Sequence, residues 1–268
     1  MKDIAVYTII LGGYDNYNVL LDKYKEENID YYFITECKSK IVPGYKMIYI
    51  DIKTNILETY AYYKNKIPEF IREYKYSIYL DGNAEITSKI GSLISYVKND
   101  DLAVLMNSMC KNVYFHYQIY SSHPENQYFK TIYNKYILDG WKDTDININT
   151  KFIIRKHSKK MFKFSDLWYN ESFHMYADEL TFLYCVYKSK LKVYKIFNYI
   201  YFLSHFNVHF HNNTITNKNR NNVQKNYLYH IYQVITLNYK WLLFILSSLF
   251  IIFIKILISS FGLTTPLK

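Results

Sequence analysis

The chain has 268 residues, 50% hydrophobic and 21% charged, with a formal net charge of +10 and only 7 glycines and 4 prolines. That balance builds a packed core and excludes a mainly disordered, collagen-like or linker-like protein. Three well-separated cysteines, Cys37, Cys110 and Cys185, exclude a disulfide scaffold and a cysteine zinc site, and read as thiols of a reducing compartment.

Along the chain, short runs rich in Ile, Val, Tyr and Phe predict strands, and longer amphipathic runs predict helices. The first strand is Ile4–Leu11; its apolar run is interrupted by Asp3 and stops at Gly12-Gly13-Tyr14-Asp15, so it reads as a buried strand and not a signal peptide. Strands at Tyr31–Thr35 and Lys46–Asp51 follow, then a helix over Ile56–Tyr74 and a strand at Tyr76–Leu80. A helix over Ile90–Val97, a strand at Leu102–Asn107 and a helix over Pro124–Leu138 come next. The strand Lys151–Arg155, the helix Lys159–Trp168, the helix Asp178–Lys188 and the strand Leu191–Ile196 complete the body. The short basic run Arg155–Lys160 reads as a solvated turn, and Trp168 as core. Alternation of nearly continuous apolar strands with helices predicts an α/β sandwich on a mostly parallel sheet.

The end of the chain differs in kind. Residues 201–268 hold six basic residues and no acidic one, against 27 basic and 23 acidic residues before them. Residues 212–226 are polar and predict a linker between a body over 1–211 and a C-terminal helical segment over 227–268. From Trp241 to Phe261 the sequence is dominated by apolar residues and carries one charge, Lys255, and it is long enough to cross a hydrocarbon core. The cationic residues Lys218, Arg220, Lys225 and Lys240 precede it and would keep the body on the cytoplasmic side of a spanning helix. Lys255 is costly in a span, so an interfacial helix with a snorkelling lysine stands beside the spanning one. Both readings attach the chain to a membrane; the body itself carries too little net charge to read as a nucleic-acid binder.

In sheets of this class, ligands bind beyond the carboxyl ends of the strands. Three strand-end sequences qualify: Gly12-Gly13-Tyr14-Asp15, Asp81-Gly82-Asn83 and Asn107-Ser108. Asp81-Gly82-Asn83 places two oxygen-bearing side chains on one tight turn, which suits a hard cation and a diphosphate, and it is equally an ordinary turn sequence. His205, His209 and His211 recur closely enough to share a site or to form a surface cluster. Glu171, just ahead of the Asp178 helix, either lines a pocket or caps that region.

"VYTIILGGYDN", "YKYSIYLDGNAEI", "KFIIRKHS", "LWYNES" and "ADELTFLYCVY" occur in the order and rough spacing of one family. Over about residues 4–190 the chain resembles the TOD/MUCI-type glycosyltransferase-like family. The resemblance implies a GT-A-like nucleotide-diphospho-sugar transferase fold, with Asp81 and Asn83 in the metal-binding position and Mn²⁺ or Mg²⁺ as the cofactor. By the same resemblance, Gly13, Tyr14 and Asp15 border the donor beside Gly82, Lys64 reaches phosphate, and His205 or His209 completes the metal shell. Asp178 takes the place of the family's central aspartate in Arg-Asp-Gln, which reads Ala177-Asp178-Glu179 here. Asp178 or Glu179 is then the base for an acceptor hydroxyl, with Glu171 and Asn107 on the acceptor side. The family's His and Arg after the fifth strand find no counterpart in "MNSMCKNVYFH", and Glu36 stands where an aspartate is usual. The expectation is a membrane-associated glycosyltransferase acting on a glycan or lipid-linked acceptor. Its rival is a relative of the same fold that binds nucleotide or glycan without turnover.

Overall fold

The computed structural model describes residues 2–52, 55–107, 110–121, 127–197 and 204–209. The expected linker 212–226, the hydrophobic segment 227–268, Ser108 and His211 lie outside the described residues. No helix among the described residues is long and apolar enough to cross a membrane.

The strands are β1 (Ile4–Ile9), β2 (Ile29–Thr35), β3 (Lys46–Tyr49), β4 (Tyr76–Asp81), β5 (Ala84–Ile86), β6 (Leu102–Met106), β7 (Ile148–Lys156), β8 (Val193–Ile196) and β9 (Phe206–Val208). The helices are α1 (Ile56–Asn65), α2 (Val113–Tyr120), α3 (Phe129–Leu138), α4 (Lys159–Ser172) and α5 (Glu179–Ser189). Seven strands form one mixed, mostly parallel sheet in the order β3-β2-β1-β4-β7-β6-β8, while β5 and β9 pair separately as an antiparallel ribbon. Within the seven-stranded sheet of the described residues, only β7 runs against its neighbours, β4 and β6.

Local chemistry sets the helix limits. Asn55, Asn112 and Ser158 cap α1, α2 and α4 by accepting from the backbone N–H three residues on. The expected helix to Tyr74 stops instead at Asn65, because Pro68 drives the backbone before it out of helical geometry and only a 3₁₀ turn, Glu69–Ile71, follows. Ile90–Val97 also tightens, into the 3₁₀ segment Gly91–Val97, whose first N–H groups are held by the Glu26 carboxylate at 2.8 Å.

Alternate strand residues feed two cores. Tyr7, Ile9, Tyr79, Val104 and Ile153 face one side, where residues of all five α-helices pack. Val6, Ile78, Leu80, Ala103 and Ile154 face the other, covered by the 3₁₀ segment and the β5–β9 ribbon. Each large apolar side chain buried this way contributes about 1.5–3 kcal/mol.

The strand order also creates the feature that matters for chemistry. From β1 the chain moves outward to β2 and β3, then returns to lay β4 on the opposite side of β1. Ile9 and Asp81 are register partners, so the segments leaving β1 and β4 open a crevice at a topological switch point.

Candidate active site

Three segments converge on that crevice. After β1, Gly12 and Gly13 both take φ +63°, a left-handed conformation that glycine adopts at little cost. The Gly12 N–H donates to Glu36 Oε1 at 2.8 Å, which ties this loop to the end of β2. A Cβ on Gly13 would meet nothing within 4 Å, so its backbone faces open space. Tyr14 hydrogen-bonds Tyr176, just ahead of α5; burial first, then Tyr176, Asp15 and Asp81, push its phenol well above the ordinary range. One side chain thus senses all three segments.

Gly82 is required by the packing of the turn itself. A Cβ there would lie 2.4 Å from Ile10 Cγ1 and 3.0 Å from the Ile9 carbonyl oxygen. The glycine therefore lets the β4 turn close against β1, and Asn18 secures it by donating to the Gly82 carbonyl at 3.2 Å.

Asp81 ends β4 and is buried. Its Oδ1 lies 2.8 Å from the Tyr79 hydroxyl and 3.0 Å from the Tyr60 hydroxyl, which are themselves 2.7 Å apart. Two hydroxyl protons serve three contacts, so the trio polarises as a unit. Lys64, from the last turn of α1, brings its ammonium to 3.5 Å from Asp81 Oδ1 and 3.2 Å from Asp178 Oδ2. Burial lowers the pKa of Lys64; Asp178 and Asp81 outweigh it and hold the pKa well above the ordinary value.

Asp178 sits at the N-cap position of α5 without capping it. Its carboxylate instead accepts from Thr150 Oγ1 at 3.1 Å, while its carbonyl accepts from the Trp168 indole at 3.1 Å. Trp168 is core, as expected, and also fixes the backbone of a site residue. Burial, opposed by Lys64 and reinforced by Glu179 and Asp81, pushes Asp178 up to about 7. Burial would raise Glu179 too, but Lys64, His116, its own backbone N–H and Asp178 hold it down at about 2. One carboxyl near neutrality beside an ionised one is the arrangement of a general base.

Arg155 corrects the sequence reading. It is not part of a solvated turn but completely buried, because it is the penultimate residue of β7 with its side chain under α1. It donates to the Tyr7 hydroxyl and to the Lys64 carbonyl oxygen, both at 2.6 Å. That carbonyl is one of the last in α1, which lack helical partners, so Arg155 fixes the backbone from which the Lys64 side chain extends. His116, Thr150, Tyr60 and Tyr79 were equally invisible as site residues. His116 lies buried on α2, its Nδ1 against the Asn147 amide, and burial lowers its pKa despite Glu179 nearby.

Other expected residues lie at varying remove. Asn107 follows β6, its N–H on the Asn147 carbonyl at 2.8 Å and its side chain on Cys110. Glu171 is in the last turn of α4, where it accepts from Tyr136 on α3 at 2.7 Å. His205 contacts Ser204, and His209 places its imidazole 2.9 Å from Glu85. The backbones of Asn83 and His209 are hydrogen-bonded at 2.8 Å, and the Asn83 amide nitrogen donates to the His209 carbonyl at 2.9 Å.

Among the described residues no group of three His, Cys, Asp or Glu side chains is disposed to hold a metal. The donor set at the β4 turn, one carboxylate and one amide, does not form a protein-only cage. It does fit a hard cation that takes its remaining oxygens from phosphate and water, the usual habit of Mg²⁺. Charge favours the same fit: Asp81, Asp178 and Glu179 all act on the single ammonium of Lys64, an excess of carboxyls that would repel an unaccompanied diphosphate.

No protein-family model matches the chain, and no curated protein matches it in sequence. Among solved structures, the apo form of the bifunctional glycosyltransferase WbbM is similar over 73% of this chain and 39% of its own, at 10% identity and a TM-score of 0.43. The chain spans well under half of that protein's length.

Proposed function

We propose that this protein is a metal-assisted glycosyltransferase of GT-A-like architecture, moving a sugar from a nucleoside-diphosphate donor to a glycan or lipid-linked acceptor. The observation that carries the reading is the register of Ile9 with Asp81, which sets the Gly12–Asp15 loop and the Asp81-Gly82-Asn83 turn side by side at the switch point. The convergence of Lys64 and Asp178 on the same place supports it.

In this reading the open backbone at Gly13 admits the donor, with Tyr14 and Asp15 along its nucleotide. Asp81 and Asn83 would hold Mn²⁺ or Mg²⁺, which when bound supplies countercharge for the departing diphosphate. Lys64 offers its ammonium to phosphate oxygen. Asp178, poised near neutrality, takes the proton from the acceptor hydroxyl while Glu179 stays ionised beside it. Thr150 and Trp168 keep Asp178 in place for that transfer. The hydrophobic segment within 227–268 would hold the body at the cytoplasmic face of a membrane, close to lipid-linked acceptors.

The test is a release assay on the full chain across nucleoside-diphosphate sugars with Mn²⁺ or Mg²⁺. Asp81→Ala should abolish hydrolysis or transfer of the active donor while circular dichroism stays native. Unchanged turnover would refute the role given to Asp81.

A further inference from the structure

Lys64 has two properties that are hard to reconcile with a static phosphate ligand. Its ammonium is buried between Asp81 and Asp178, engaging both, so it already holds the countercharge position at the β4 turn. Its backbone is pinned by the Arg155 guanidinium at 2.6 Å, so the carbonyl stays while the four-carbon stem can swing.

We propose that Lys64 is a resident counter-cation that locks the site against a free divalent ion and releases it only when a diphosphate arrives. This deepens, and rests on, the donor-site reading given above. A lone metal approaching Asp81 meets a positive charge already paired with that carboxylate, in surroundings that screen little. A diphosphate changes the balance. Its oxygens draw the ammonium away from Asp81, and Asp81 is freed for the ion. Metal and diphosphate then bind jointly, each raising the affinity of the other, as linkage requires. The same movement takes a cation away from Asp178, so the base gains proton affinity as the donor seats.

The experiment titrates Mn²⁺ alone into the full chain by calorimetry. Lys64→Met should bind Mn²⁺ roughly tenfold or more tightly than the wild type. Lys64→Arg keeps the charge and should stay as weak as the wild type. Because Lys64→Met strands two buried carboxylates, the double variant Lys64→Met/Asp178→Asn gives the same comparison with one of them neutralised. In the wild type, UDP or GDP should raise Mn²⁺ affinity, and in Lys64→Met that coupling should be smaller by about the factor the variant gained in binding Mn²⁺ alone. Equal Mn²⁺ affinity in the wild type and the folded Met variants overturns the lock, as does wild-type binding indifferent to nucleotide when either one binds. Gain of Mn²⁺ binding in Lys64→Met, with neither nucleotide bound by any form, would sustain the lock and remove the donor reading.

Discussion

Lys64 on α1 and Asp178 at the head of α5 are 114 residues apart in sequence, and their side chains meet in the protein interior. The Nζ lies 3.2 Å from Asp178 Oδ2 and, on its other side, 3.5 Å from Asp81 Oδ1. A buried ion pair of this kind contributes little net stability, since desolvation cancels most of the attraction. Its place at the sheet's switch point gives it a chemical role.

The first prediction concerns pH. Asp178 is raised from 3.8 to about 7, so its protonated form favours the fold and its contribution is complete below pH 3.8, then lost as pH rises through about 7. Asp178→Asn removes this dependence. Urea unfolding should show the variant gaining on the wild type between pH 5 and pH 8, by up to ~3 kcal/mol. A constant difference across that range would contradict the shift.

His157 has the opposite sign in an overlapping window. Burial, then Arg155, lower its pKa from 6.5 to about 4, while it hydrogen-bonds Ser77 at 2.9 Å. Its contribution is present above pH 6.5 and lost as pH falls toward 4. His157→Gln should therefore flatten the acid limb of the stability curve, by roughly 1–3 kcal/mol, leaving the Asp178 limb in place.

Two glycines should respond differently to alanine. Gly82→Ala drives a methyl into Ile10 and the Ile9 carbonyl, and should cost roughly 1–3 kcal/mol in chemical denaturation. Gly13→Ala meets no atom and pays only left-handed strain, about 1 kcal/mol. Its larger effect should be on donor affinity, read by calorimetry, because the methyl fills the open space over the backbone.

Arg155→Met leaves the Tyr7 hydroxyl and the Lys64 carbonyl without their buried donor. Unfolding free energy should fall by about 2–4 kcal/mol. Retained stability would mean that α1 finds another cap.

The five inner strands of the main sheet are legible because strands covered on both faces must be apolar nearly throughout, and the partly exposed edge strands β3 and β8 are legible as short runs of Ile, Val and Tyr. The three-residue β5 and β9 carry no such pattern; they exist because Asn83 and His209 bring their segments together. Helix α2 hides in "VYFHYQIY", whose aromatic and β-branched residues favour strands locally, and it forms because Asn112 caps it and Asp143 accepts from the Val113 and Tyr114 N–H groups. In the site, Asp81 announces itself by ending a buried strand in a polar turn. Lys64 and Asp178 come only through family resemblance, since no local pattern relates positions so far apart. Arg155 was misread because Lys156, Lys159 and Lys160 follow it; the usable signal was its place two residues beyond Ile153, on the inward phase of an apolar strand.

The most direct measurement is calorimetric titration of the full chain with a panel of nucleoside-diphosphate sugars, in Mn²⁺ and in EDTA. The account predicts that one donor binds with Mn²⁺, and that binding is lost in EDTA and in a folded Asp81→Ala variant. Failure of every donor to bind the folded wild-type chain, with or without metal, would contradict it.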